Sequence, residues 1–322
     1  MNGRRAKRWR RKNARRVEAA AKKSQSEGHS CIGADQVKFG HHVVALVDFV
    51  GQSSELEKWN YLPTHEGELQ EFIRAAKASY GRIETWRSEF EKYFQMFVSG
   101  YEIPTGAIRG VPDGGRSLRD FHKIELKFMR FSDTIVVYSP LVNQNGYLNV
   151  TNICACITVT GTLLLASLAA RQIPFRGAIE IGMAAELGGG DLYGPALARA
   201  HHCESKVADY PRVVVGPDLI QLLNDLRENQ DQFGPERVNR GTADLCLQML
   251  AQDDSGNWFV DYLNDAMVGP FTNPTQKENS YSLAYKFILD ESDRFRAEGN
   301  ECLLRRYGRL VDYFKSRGVI GA

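Results

Sequence analysis

Apolar residues cluster in two ways along the first half of the chain. Short unbroken runs read as strands buried on both faces. Val43-Val44-Ala45-Leu46-Val47 is one; it closes on Asp48 and runs into Phe49-Val50-Gly51-Gln52-Ser53. Phe131-Ser132-Asp133-Thr134-Ile135-Val136-Val137-Tyr138 is another, with Asp133 at its break. Between them the spacing changes to that of a helix. Leu69, Phe72, Ile73 and Ala76, then Ile83, Trp86, Phe90, Tyr93, Phe94 and Phe97, recur every three to four residues, which predicts helix over 66–98 with Gly81 joining two segments. Residues 100–120, rich in Gly, Pro and Arg, read as a surface loop.

The pattern continues with strands at 123–131 and 134–139 turning near Asp133, a helix over 151–171, and a strand over Phe175–Gly182. Gly188-Gly189-Gly190 resembles a phosphate loop, but no Lys-Ser/Thr follows it, so it reads as a hairpin turn leading to Leu192-Tyr193. A helix starts after Gly194-Pro195, where proline is tolerated. Arg212–Val215 reads as the last core strand, with a helix over 217–228 and amphipathic helices near 280–315. Hairpins beside crossovers define an α+β class, a mixed sheet with helices packed on it. The expected organisation is a basic arm and linker at 1–40, a compact domain at 41–228, and a mainly helical C-terminal extension at 229–322.

Charge alters this picture at the N-terminus only. The net charge is +2, but residues 1–24 carry eleven Lys/Arg against Glu18 alone, a net of +10 that leaves −8 for the rest. Such an arm attracts polyanions, nucleic acid or an anionic membrane among them; with Trp9 its single aromatic, no specific nucleic-acid module is indicated. The most apolar stretch, Ile153–Ala170, is interrupted by Thr, Ser and Gly and reads as a buried helix. Six cysteines without a CxxC pair are expected to be buried, reduced thiols, and no secretory signal is visible, so a cytoplasmic location is expected. His41-His42 is expected at an exposed strand edge.

The candidate chemistry rests on Asp48 and Asp133. A lone acid at the end of a buried strand is unfavourable unless its charge is compensated. Two from neighbouring strands make a hard, oxygen-rich site for Mg²⁺ or Mn²⁺, a common means of holding a triphosphate. Phe49, where the chain must turn, offers its carbonyl as a third ligand. The N–H groups of Val50, Gly51 and Gln52 are expected to cradle phosphates, Gly51 allowing close approach.

At these residues the chain resembles class III nucleotide cyclases. The carriers are Asp48-Phe49-Val50-Gly51, the second acid Asp133 in a hairpin, Arg176-Gly177-Ala178-Ile179-Glu180-Ile181-Gly182, and the helix from Gly194 through Ala200 to Glu204-Ser205. The resemblance spans about 41–220. With a helical extension and no attached receptor, the chain is most similar to the bacterial pyrimidine cyclases of the Pycsar anti-phage system. That likeness implies a cyclase fold, a homodimer with sites at the interface, two Mn²⁺ or Mg²⁺ ions as cofactors, and a lyase making a cyclic 3′,5′-pyrimidine monophosphate that a downstream effector senses.

Departures from the purine cyclases sharpen the expectation. Their base-reading Lys or Glu falls on Met129, which cannot pair with a purine edge; the partner acid is kept as Asp191. Their ribose-binding Asn and transition-state Arg fall on Ala198 and His202, leaving Arg199 or His202 to supply catalytic positive charge from the other subunit. The expected reaction is UTP to cUMP and pyrophosphate. A cytidylate cyclase making cCMP, an inactive nucleotide sensor on the same fold, and a nucleic-acid-associated protein remain as alternatives.

Overall fold

The computed structural model describes residues 37–50, 59, 63–100, 125–143, 146–188, 190–228, 234–268 and 274–319. Its centre is a mixed sheet of eight strands in the order β2-β3-β1-β4-β6-β8-β7, with β5 paired to β4. In sequence these are β1 (Lys38–Phe49), β2 (Lys127–Phe131), β3 (Thr134–Pro140), β4 (Phe175–Glu186), β5 (Leu192–Tyr193), β6 (Val213–Val215), β7 (Leu250–Gln252) and β8 (Trp258–Val260). Among the described strands only β4 and β6 run parallel; the other pairs are antiparallel.

β1 is apolar from Val43 to Val47 because it is covered on both faces there, and its period of two divides the molecule. Val43, Ala45, Val47 and Phe49 enter the main core with Trp86, Phe90, Phe94 and Ile153. Val44 and Leu46 point the other way, into a smaller cluster with Val136, Tyr138, Leu192, Ala196 and Ala200. Register places Asp48 on this second face, two residues beyond Leu46. The second face therefore carries the candidate chemistry.

The main core is built by α1 (Glu66–Gly100) and α2 (Thr151–Ala169). α2 is buried along most of its length. By length and composition it could cross a membrane, but here it is the core helix that α1, α5 (Gly234–Gln248) and α7 (Pro274–Ala297) pack against. α3 (Pro195–Lys206) covers the second face of β4 and β1. α4 (Pro217–Arg227), the short α6 (Asp265–Val268) and α8 (Glu301–Ser316) complete the set. α1 is one continuous helix, so the expected break at Gly81 does not occur; an added Cβ there meets nothing. Nor is Val213–Val215 the last core strand, since β8 pairs with β6 and β7 with β8.

The start of α4 shows how closely the second layer is fitted. Glu180 on β4 is fully buried and accepts from the Leu219 N–H (3.0 Å) and the Ile181 N–H (2.8 Å), capping the helix from a neighbouring strand. Burial pushes its carboxyl up, against those two N–H groups. A Cβ at Gly216 would collide with the Glu180 carboxylate. Gly216→Ala should cost about 1–3 kcal/mol by overpacking, read as a lowered denaturation midpoint; an unchanged midpoint would show the carboxylate has room to move.

Candidate functional site

Asp48 and Asp133 come together through the strand register. Asp48 lies opposite Thr134 on β3 and opposite Arg176 on β4. Asp133 sits in the two-residue turn between β2 and β3, where Ser132 adopts a left-handed conformation (φ 55°). The Phe49 N–H reaches the Asp133 carbonyl at 3.4 Å, fastening the end of β1 to that turn. Asp48 Oδ1 accepts from Thr134 Oγ1 (3.3 Å), and its Oδ2 accepts from Arg176 Nε and Nη2, both at 3.2 Å. Arg176 Nε also lies 2.7 Å from Glu204 Oε1 on α3.

Two carboxylates, Asp48 and Glu204, thus flank one guanidinium, and the Asp133 charge is close enough to act on both, so negative charge is in excess. Burial raises the Asp48 carboxyl, with Arg176 opposing and Asp133 adding to the rise. Glu204 is pushed up to about 7, by burial first, against Arg176 and with help from Asp48 and Asp133. Hard carboxylate oxygens of this kind are donors that could hold Mg²⁺ or Mn²⁺. Among the described residues no three His, Cys, Asp or Glu side chains converge on one point, so the fit is to a site of two protein carboxylates completed by other oxygens.

The Glu204 shift fixes a pH dependence. The native state holds a proton that the unfolded chain, with a carboxyl near 4.5, releases. The associated stability is fully present below 4.5 and is lost as pH rises through about 7. Glu204→Gln should flatten the stability–pH curve in that window, measured by denaturation at stepped pH; an unchanged slope would assign it to another group.

The other expected residues differ in how free they are to serve the site. The Phe49 ring is in the main core, edge-on to Trp86 and Phe175, leaving only its backbone for the site. The Val50 N–H already donates to the Pro174 carbonyl at 3.0 Å, so it is committed rather than free for phosphate. Gly51 and Gln52 lie outside the described residues, as do the arm at 1–36 and Cys31. Met129 is half-buried on β2, opposite Val136 and on the face that carries Asp48. Asp191 is exposed just before β5, in a turn held by the Tyr138 hydroxyl donating to the Gly190 carbonyl at 2.8 Å. On α3, Arg199 is engaged within its own chain: Nη2 donates to the Ile181 carbonyl (2.7 Å) and pairs with Asp218 (3.1 Å). The His202 ring is exposed on the same helix.

Two further expectations change. His42 is buried, not an exposed edge residue: its Nε2 lies 2.9 Å from Glu186 Oε1, while Lys127 Nζ meets the other Glu186 oxygen at 2.6 Å. Burial pushes Glu186 up, but these two partners outweigh it and hold the carboxyl below its usual value. Of the thiols, Cys154, Cys156 and Cys246 are buried, Cys203 is half-buried and Cys302 is exposed.

Arg176 and Glu204 stand within sequence motifs that by themselves assign neither a role. The available signal is an Arg opening an apolar strand and a Glu on the helix that covers it. No family model, no curated protein and no solved structure matches this chain.

Proposed function

We propose that this chain is a metal-dependent nucleotide cyclase that converts UTP to cUMP and pyrophosphate, acting as a homodimer in anti-phage signalling. The observation that carries the reading is the juxtaposition of Asp48 and Asp133 at the ends of paired strands, in a cluster with excess negative charge. Asp48, Asp133 and the Phe49 carbonyl would hold Mn²⁺ or Mg²⁺, which supplies Lewis acidity to the triphosphate and to the ribose 3′-oxygen. That oxygen forms the new bond to the α-phosphorus as the bond to the bridging oxygen of pyrophosphate breaks; the hydroxyl proton passes to water.

The chain's own residues then set geometry and selectivity. Thr134 and Arg176 fix the Asp48 carboxylate. Phe131 is 78% exposed on the Asp48 face and is the aromatic available to a base, whereas Phe49 is withdrawn into the core. Met129 offers a base no strong donor or acceptor, so a purine edge goes unread. Asp191, on its Tyr138-anchored turn, is the polar group left to select uracil over cytosine. With Arg199 tied to Ile181 and Asp218, the exposed His202 is the one of the two expected α3 residues left to face a partner's site.

Incubation with equimolar ATP, GTP, CTP and UTP plus Mn²⁺, with products resolved by chromatography, should give cUMP as the main product. cCMP in excess would change the base assignment alone. Faster cyclisation of ATP or GTP would overturn the pyrimidine reading. A second reading, an inactive nucleotide sensor, is favoured by the commitment of Arg199; binding of UTP without product would select it.

A further inference from the structure

In the metal-dependent reading of the site, Asp48 is claimed twice. It is a metal ligand, yet its Oδ2 already accepts two N–H bonds from Arg176, both at 3.2 Å. Arg176 is the cross-strand partner of Asp48 and occupies the side of the carboxylate nearest β4. A guanidinium and a divalent cation compete for such an oxygen through the same negative charge and lone pairs.

The guanidinium is also shared. Its Nε is nearer to Glu204 (2.7 Å) than to Asp48 (3.2 Å), and Glu204 is 3% exposed, held by α3 over the sheet. Drawing Arg176 away from Asp48 would strand a partly buried cation unless a second carboxylate retained it. Glu204 is placed to do that. The contact is an ion pair without a hydrogen bond: the Arg176 Nε–H is directed at Asp48 and Glu204 Oε1 accepts none, which leaves that oxygen open to a planar, always charged guanidinium turning towards it.

Resting on that metal-dependent reading, we infer that Arg176 is a resident counter-ion that competes with the metal for Asp48, and that Glu204 is a positioning residue that retains Arg176 when Asp48 turns to the metal. Together the pair sets the threshold at which a divalent cation enters. It keeps the acid pair compensated without metal and lowers the cost of releasing Asp48 when metal arrives. The two residues must then act on metal affinity with opposite sign. Removing Arg176 removes the competitor and tightens binding. Removing Glu204 leaves Arg176 wholly on Asp48 and weakens it. A merely structural pair would weaken binding in both variants.

The test is Mn²⁺ affinity of the full chain without nucleotide, read from the electron paramagnetic resonance signal of free Mn²⁺, with thermal unfolding as a check on folding. Relative to the parent, Glu204→Gln should weaken binding by roughly threefold to tenfold, and Arg176→Gln should tighten it by about tenfold. Should Arg176→Gln fail to fold, because Glu204 is left buried without a partner, the double variant Arg176→Gln with Glu204→Gln replaces an ion pair by a neutral one. It should bind Mn²⁺ more tightly than Glu204→Gln alone. Asp48→Asn is the reference. Where it abolishes Mn²⁺ binding but the two single variants shift together or not at all, or the double variant does not exceed Glu204→Gln, the counter-ion role is overturned and the metal site stands. Where Asp48→Asn leaves Mn²⁺ binding unchanged, both are overturned.

Discussion

Asp48→Asn should abolish cyclisation while leaving the protein folded and no less stable. The side chain keeps its shape: the amide oxygen can still accept from Arg176, and the amide NH2, in place of the other oxygen, can donate to the Thr134 hydroxyl, which turns from donor to acceptor. What disappears is one of the two negative charges to which a metal would bind. Losing one fully used electrostatic group of this kind lowers turnover by about a hundredfold to a thousandfold, and losing a metal with it lowers turnover further. Stability should move the other way. Folding raises the Asp48 carboxyl, chiefly through burial and with a contribution from Asp133, so the native state holds its charge at a cost. A neutral isostere removes that cost, and the denaturation midpoint at a pH near 8, above the usual carboxylate range, should be unchanged or higher. Parent-like rates of product formation in the variant would sink the metal assignment. A large loss of stability would show that the acid is structural.

The second large effect concerns the far side of the molecule. Asp261, just after β8, is buried; it accepts from the Tyr313 hydroxyl (2.7 Å) and from Arg317 Nε (3.1 Å), and pairs with Arg317 Nη2 (2.7 Å). The Tyr313 hydroxyl also accepts from the Leu263 N–H at 3.2 Å. One carboxylate therefore fastens the end of α8 to the turn that follows the sheet. Asp261→Ala leaves a buried hydroxyl and a half-exposed guanidinium without their acceptor, a loss of about 2–4 kcal/mol. Asp261→Asn, which keeps one acceptor, should lose less. Equilibrium denaturation measures both, and a change below about 0.5 kcal/mol for the alanine variant, the scale of a neutral surface site, would show that α8 is held by its apolar face instead.

The parts of this structure legible in the sequence are those written by local pattern. The run at Val43–Val47 marks β1 because both faces are buried, and its period of two puts Asp48 on a definite face. The hairpin around Asp133 arises from two apolar runs with a polar break. β7 and β8 are not legible: three residues each are too few to show alternation, although Asp253-Asp254-Ser255-Gly256-Asn257 between them is a turn signal, and Asp253 accepts from the Ser255 and Asn257 N–H groups. His42 reads as an edge residue because a polar side chain at a strand's start looks exposed until its partners, Glu186 and Lys127, arrive from other strands. The same holds for Arg176 and Glu204. Their pairing spans 28 positions and depends on how α3 lies on the sheet, which single-sequence spacing does not encode.

The pairing of β8 with β6 decides where this chain can be cut. A fragment ending near residue 228 would retain Asp48, Asp133, Arg176 and Glu204, but it would strip the outer neighbour from Val214 and Val215. Those valines would become an open, apolar strand edge, the kind of surface that recruits strands from other molecules. The same cut would uncover α2 where α5 and α7 now lie. The segment beyond 228 is thus a cover over adhesive surface, and a trimmed protein should be recovered as aggregate, however complete its acidic cluster.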